Sequence, residues 1–449
     1  MTTAVQHRSA LISNIIGLQV PTAVRARGVW IWDADGKDYL DGSSGGIASQ
    51  IGYGDPDVAA AIVEQLNKVA FIYRSQFTNE AAEKLGHRLV ELAPPGLTGV
   101  FLVQGGSEAN EMALKLALQY WREVGQPERD VVLSRRNSYH GSTLGALSLS
   151  GFPARRAAWE NQLRPWPKIA PNNCFRCPFN LRPEHCALEC ADDLERAVRE
   201  VGPHRIAAFV VEPVVGAAGG AVVPRHGYLP RIREICDRHG ILMIADEVLS
   251  GVGRTGKFLA VEHWGVVPDL VVLGKGLAAG YAPMAAVLVR DRIVDAIAAG
   301  SGLIMTGHTY SFNPLGAATA LAVLDVIEKR DLLRACREQG AYLRERLEGL
   351  AQREPRIGEV RGLGLLYGLE LVLDPVSKAV PAPGLRVAFS FARHAQECGL
   401  LVYALGSGNG ESVMVAPPLI ISRAEIDILI DRLERAFRTW QVAPLGDKS

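Results

Sequence analysis

Between about residues 80 and 330, apolar positions recur at two spacings that take turns along the chain. In "NEAAEKLGHRLVELA" (79–93), Leu85, Leu89 and Leu92 fall on one helical face, and Asn79 stands where an N-cap belongs. Short unbroken apolar runs alternate with such stretches: "GVFLVQ", "DVVLS" (130–134), "IAAFVVE" (206–212), "ILMIAD" (241–246), "DLVVLG" (269–274) and "MAAVLV" (284–289). Each is too short for a helix and reads as a strand buried on both faces. "GVFLVQ" runs through Gly105 and Gly106 into the helical pattern "SEANEMALKLALQYWREV", and "LPRIREICDRH" stops at Gly240. Strands alternating with helices predict a mostly parallel sheet covered on both faces.

After "PLGAATALAVLDVIEKR" the texture changes. A long helical pattern, "DLLRACREQGAYLRERLEGLAQR", is followed by strand-like "LLYGLELVL" and "GLLVY", then by the helical "RAEIDILIDRLERAFRTW". The opening "GVWIWDADGKDYLDG" carries strand–turn–strand signals around Asp35-Gly36. The predicted fold is α/β, with a large domain over residues 61–325. A smaller α+β domain is expected from segments 1–60 and 326–449.

Composition narrows the function classes. With 449 residues, the chain is too long for one ordinary core. Forty-eight basic residues balance 48 acidic ones, so no electrostatic footprint for nucleic acid or an anionic membrane is present. No apolar run approaches a membrane span, and "MTTAVQHRSALISNIIGLQV" lacks the pattern of a secretory leader. A cytoplasmic protein is expected. An odd count of seven cysteines argues against a secreted disulfide scaffold.

Three polar residues stand at the ends of predicted parallel strands, where open α/β sheets bind ligands. Asp246 follows "ILMIA", Lys275 follows "LVVLG", and Tyr139 comes shortly after "VVLS". A lone lysine in an apolar stretch ordinarily extends its ammonium into water. A buried one has its pKa pushed down and becomes a nucleophile. The "QGGSEAN" turn (104–110) adds Gly106 and Ser107 at the start of a helix, whose free N–H groups favour a phosphate. A lysine amine, a carboxylate, an aromatic ring and a phosphate cradle together suit pyridoxal phosphate, which is held as a Schiff base with an acidic partner for its ring nitrogen.

"ILMIADEVLSGVGRTGKFLAVEHWGVVPDLVVLGKGLAAGYAP" closely resembles the signature of class III (ω-type) aminotransferases of fold type I. The likeness runs from "WDADGKDYLDG" to "APPLIISRAEID". It implies that Lys275 is the Schiff-base lysine and proton shuttle, that Asp246 pairs with the pyridine nitrogen, and that Val248 packs under the ring. Tyr139, in "SYHGST", is expected to stack on the opposite face, with Gly106 and Ser107 on the phosphate. Thr309, in "TGHTYSFNP", matches a threonine that reaches the phosphate held by a neighbouring subunit, and Glu212 matches an active-site glutamate. The family therefore implies a homodimer or dimer of dimers with shared sites. The reaction it implies passes an amino group from an ω-amino acid, amine or diamine to pyruvate or 2-oxoglutarate. Racemases and aminomutases of the same family are the alternative. An inactive scaffold carrying a metal-binding interaction module is a more distant one.

The sequence departs from the family in two places. Many relatives carry an arginine in the strand before "PPL" that pairs with the glutamate or binds a substrate carboxylate. Here Tyr403 takes that place, and no arginine lies between Gly399 and Ser422. Glu212 is then expected either to bond Tyr403 or to attract the cationic end of a diamine. Ile47 replaces a bulky aromatic of several amine transaminases and suggests a roomier pocket, unless Tyr73 or Phe77 fills it. Separately, Cys174, Cys177, Cys186 and Cys190 in "CFRCPFNLRPEHCALEC" (174–190) offer four thiolates for a structural zinc, with His185 nearby. Reduced cysteines packing an insert are the other reading.

Overall fold

A computed structural model of the chain describes residues 10–12, 15–16, 18–374, 376–382, 385–406 and 410–441. Most of the N-terminal stretch read above for a leader lies outside these. Among these residues fifteen strands form three sheets. The first strands, β1 (Ala23–Arg27), β2 (Trp30–Asp33) and β3 (Asp38–Asp41), make an antiparallel ribbon turning at Asp35-Gly36, where Gly36 adopts φ 82°. The central sheet follows with β4 (Leu97–Val103), β5 (Val131–Arg135), β6 (Lys168–Ile169), β7 (Ile206–Val211), β8 (Leu242–Asp246), β9 (Leu270–Leu273) and β10 (Ala285–Arg290). Last come β11 (Ile357–Leu363), β12 (Leu366–Leu371), β13 (Leu400–Leu401), β14 (Tyr403–Gly406) and β15 (Glu411–Val415).

The central sheet has the order β4-β10-β9-β8-β7-β5-β6. From β9 to β6 every pairing is parallel, while β10 runs antiparallel to both its neighbours. Every residue of β7, β8 and β9 is buried, as expected of strands covered on both faces. One cover is the helix Gly106–Glu123, which buries Met112, Ala113, Leu116 and Ala117. On the other side, Leu85 and Leu89 of the helix Glu80–Leu92 join the main apolar core, and Asn79 Oδ1 caps that helix by accepting from the amide of Ala82 at 2.8 Å. Tyr228–His239 ends at Gly240 in the left-handed conformation, as its sequence predicts.

The C-terminal sheet has the order β11-β12-β15-β14 and is antiparallel. β13 pairs in parallel with β3, so the opening ribbon and the last third of the chain share a sheet. Arg254, in the "GRTG" turn, fastens these parts to the central sheet. Its buried guanidinium donates to the carbonyls of Leu365 (3.1 Å) and Pro417 (2.6 Å) and to Ser44 Oγ (3.0 Å). With no carboxylate bonded to it, burial pushes its pKa down to about 10.

Candidate active site

Four neighbouring parallel strands, β9, β8, β7 and β5, deliver their carboxyl ends to one edge of the sheet. Lys275 follows β9 by two residues, Asp246 ends β8, Glu212 follows β7 directly, and Tyr139 comes shortly after β5. These side chains line one cavity of about 170 Å³ together with Gly106, Ser107, Asn110, His140 and Val248. The topology thus brings into contact residues far apart in sequence, such as Asn110 and Asp246, 136 positions apart.

Lys275 leaves the strand with φ 39°, a left-handed conformation unusual for a residue with a side chain, immediately after the extended Gly274. Burial pushes its ammonium below the ordinary lysine value, although Asp246 and Glu212 pull the other way. Asp246 is held by three donors. Asn110 Nδ2 lies 3.0 Å and His140 Nδ1 2.8 Å from Oδ2, and the amide of Val248 reaches Oδ1 at 3.1 Å. For His140 to donate, its proton must sit on Nδ1, leaving Nε2 buried without a hydrogen-bond partner. Three donors fix the direction of this carboxylate.

The turn at Gly106 and Ser107 is tight on both sides. A Cβ at Gly106 would stand 2.8 Å from Val248 Cγ1, and one at Gly141 (φ 139°) would stand 2.6 Å from Ser107 Oγ. Glycine is therefore required at both by close approach. The helix Gly106–Glu123 begins without a side-chain cap, so its first N–H groups face the cavity unspent. Ser107 Oγ accepts from the amide of Ser142 at 3.0 Å, tying this turn to the Tyr139 loop. Tyr139 itself is anchored through its phenol to Ser142 Oγ at 2.8 Å and through its amide to Glu212 Oε1 at 3.1 Å.

Glu212 is buried, and its other oxygen accepts from the amide of Gly216 at 2.8 Å. Burial raises its pKa, while His140 and Arg135 act to lower it. The expected bond to Tyr403 does not form. Among the described residues, only backbone amides hold the Glu212 carboxylate. Tyr403 packs instead against the buried apolar cluster that holds Leu366 and Met414.

Several expected substrate residues lie elsewhere. Ile47 is fully buried at φ 63° in the apolar cluster that also holds Leu366 and Met414, so its size does not set the cavity's width. Tyr73 and Phe77 are exposed and do not line the cavity. Thr309 is also exposed and outside the lining.

The zinc expectation is corrected. Among the described residues no group of three His, Cys, Asp or Glu side chains is placed to hold a metal ion. All four cysteines are free thiols lining a small cavity with Arg225 and Tyr228. Cys190 belongs to the helix Glu189–Val201, entered through a left-handed Leu188 (φ 74°). Burial raises the Cys174 thiol and pushes Cys190 up to about 12, which favours the neutral thiol at both. His185 is exposed. The reading of an insert packed by reduced cysteines stands.

Asn110, His140 and Arg135 carry the site without having been singled out in the sequence. Asn110 lies one helical turn after Gly106, and His140 follows Tyr139 directly, so proximity to the motifs was the available signal. Arg135, fully buried at the end of β5, gave none.

An uncapped helix start beside a buried lysine and a three-donor carboxylate, on a mostly parallel sheet, is the layout of a pyridoxal-phosphate enzyme. The family model "Aminotransferase class-III" matches residues 18–437, and the chain belongs to that family. It is therefore an aminotransferase, of a class whose cofactor is pyridoxal phosphate. It is 45% identical to the uncharacterized aminotransferase YodT of Bacillus subtilis, over 94% of this chain and 96% of that one. It is 35% identical to putrescine–pyruvate aminotransferase of Pseudomonas aeruginosa, over 90% and 88% of the two chains. Among solved structures, an amine transaminase from an uncultivated Pseudomonas species in its PLP-bound form superposes with a TM-score of 0.88. It shares 37% identity, with 98% of this chain and 97% of that chain covered.

Proposed function

We propose that this chain moves an amino group from an ω-amino acid, amine or diamine to a keto acid, pyruvate or 2-oxoglutarate, in a ping-pong sequence centred on Lys275. Pyridoxal phosphate, when bound, supplies the aldehyde that captures the amine and the ring that accepts electrons from the substrate carbon. The chain's own residues do the rest. Lys275 Nζ, its proton loosened by burial, takes the proton from the substrate carbon and returns it to the cofactor side. Asp246, locked by Asn110 and His140, holds a proton on the ring nitrogen. Gly106 and Ser107 at the uncapped helix start would hold the phosphate, and Val248 and Tyr139, which line the same cavity, would hold the ring.

The observation that favours a second cationic group on the donor is the Glu212 carboxylate, which faces the cavity with no cationic side chain bonded to it among the described residues. A buried carboxylate gains when a cation reaches it. The relative from Pseudomonas aeruginosa is named for a diamine donor and pyruvate. Single-turnover kinetics of Glu212→Gln with a diamine and a monoamine of matched length test this. The diamine is expected to lose roughly tenfold or more in kcat/KM and the monoamine little; equal losses for both would sink the diamine preference.

Homodimeric assembly is part of the same proposal. Thr309 is too exposed to serve the cavity of its own chain, and Leu303, Met305 and Tyr310 beside it are exposed apolar residues suited to a subunit contact. No helix among the described residues is long and apolar enough to cross a membrane.

A further inference from the structure

A keto-acid acceptor brings a carboxylate to the cavity, and it has to be recognised without an arginine in the 399–422 segment. This step rests on the function proposed above. A carboxylate leaving water for a walled site needs a cation with free N–H groups, and a planar guanidinium supplies two in parallel.

The cations around the cavity can be taken in turn. Lys275 is engaged in the reaction. His140 is spent on Asp246 at 2.8 Å. Arg135 lies fully buried, with its terminal nitrogens spent on Asn172 Oδ1 at 2.6 Å and the Glu212 carbonyl at 2.7 Å. Arg386 lines a separate cavity, where it acts on the Glu411 carboxylate. Arg156 is tied to Glu160 at 2.7 Å and to the carbonyls of Leu147 and Ser150.

Arg155 is different. It stands on the short helix Pro153–Arg156, exposed, with its guanidinium 5.8 Å from the centre of the Tyr139 ring and 5.9 Å from that of Phe152. Tyr139 is a wall of the Lys275 cavity, so this guanidinium rests against the wall. Among the described residues no hydrogen bond or ion pair holds it. An arginine kept near a site by aromatic faces, with its N–H groups unspent, is positioned to receive a carboxylate.

We propose that Arg155 is the specificity-determining residue for the acceptor, binding the keto-acid carboxylate at the mouth of the cavity past the edge of Tyr139. A donor amine without a carboxylate makes no use of it. One enzyme would then accept uncharged or cationic amines in one half-reaction and an anionic acceptor in the other, with Glu212 and Arg155 serving opposite charges.

The test compares Arg155→Ala and Arg155→Lys with the wild type in the cofactor-loaded enzyme. Three readouts are taken: the amine half-reaction, the acceptor half-reaction with pyruvate and with propanal, and the calorimetric affinity for propionate, which does not react. Arg155→Ala is expected to raise KM for pyruvate and weaken propionate by roughly tenfold or more, leaving propanal and the amine half-reaction unchanged. Arg155→Lys should restore part of the loss, because it keeps the charge but not the fork. Unchanged propionate affinity in Arg155→Ala, or equal losses for pyruvate and propanal, would overturn the assignment. The propionate titration reads Arg155 even where the wild type turns over no keto acid, an outcome that would count against the proposed function alone.

Discussion

Replacing Asn110 by leucine should slow the enzyme without unfolding it. Asn110 Nδ2 donates to Asp246 Oδ2 at 3.0 Å and to the Gly106 carbonyl at 3.1 Å, so one amide joins Asp246 to the Gly106 turn. A hydrogen bond to a charged group contributes about 1.5–3 kcal/mol, and Asp246 is buried, so little water can replace the lost donor. The folding cost is offset. Asn110 Oδ1 is buried with no partner, and removing it relieves a desolvation penalty of about 1–3 kcal/mol. The melting temperature of the cofactor-free protein should therefore move little. Asp246 loses one of its three donors, and at about 1.4 kcal/mol per factor of ten the amine half-reaction should slow by about ten- to a hundredfold. Stopped-flow absorbance at saturating amine measures that step, and a parallel thermal melt reports on folding. A half-reaction within about twofold of wild type, with an unaltered melt, would refute the claim that Asn110 acts through Asp246.

Gly106→Ala should weaken cofactor binding by roughly tenfold or more, since its Cβ would meet Val248 Cγ1 at 2.8 Å, and adding Val248→Ala should recover most of the loss in a fluorescence titration. Cofactor-free protein carries a lysine whose pKa burial has lowered from 10.5. In the alkaline range below that value the unfolded chain binds a proton the folded chain does not, so stability rises with pH there. Thermal melts across that range should show this slope in the wild type and lose it in Lys275→Met. Treating the protein with a zinc chelator should leave its melting temperature unchanged, because the four cysteines assemble no metal site among the described residues; a fall in melting temperature would restore the zinc reading.

Much of this site was legible because its parts sit at strand ends, which apolar runs mark plainly. The runs before Asp246 and Lys275 became β8 and β9 within a residue or two, and Asn79 and Gly240 bound their helices as their chemistry predicts. The direction of β10 was not legible: a run such as "MAAVLV" is equally apolar whichever way it lies beside β9. Ile47 misled because alignment with bulky positions says nothing of backbone, and its left-handed turn points the side chain into the core. The cysteines had ligand-like spacing, but spacing along the chain does not fix geometry in space, and among the described residues they assemble no group that could hold a metal. Asn110 and His140 escaped notice because a polar residue on a buried helix face or after an aromatic is as often structural as functional. Only the pairing of β8 beside β7 and β9, under the helix Gly106–Glu123, shows both converging on Asp246.

The most direct test of the proposed function is the visible absorption spectrum of the purified, pyridoxal-phosphate-loaded protein during additions of single amines and then single keto acids. The protein is expected to be yellow, to be bleached by an ω-amino acid, amine or diamine and to recover its colour with pyruvate or 2-oxoglutarate, while a Lys275→Ala variant does neither in turn. A wild-type protein that stays colourless with added cofactor, or whose colour no amine discharges, would contradict the proposed function.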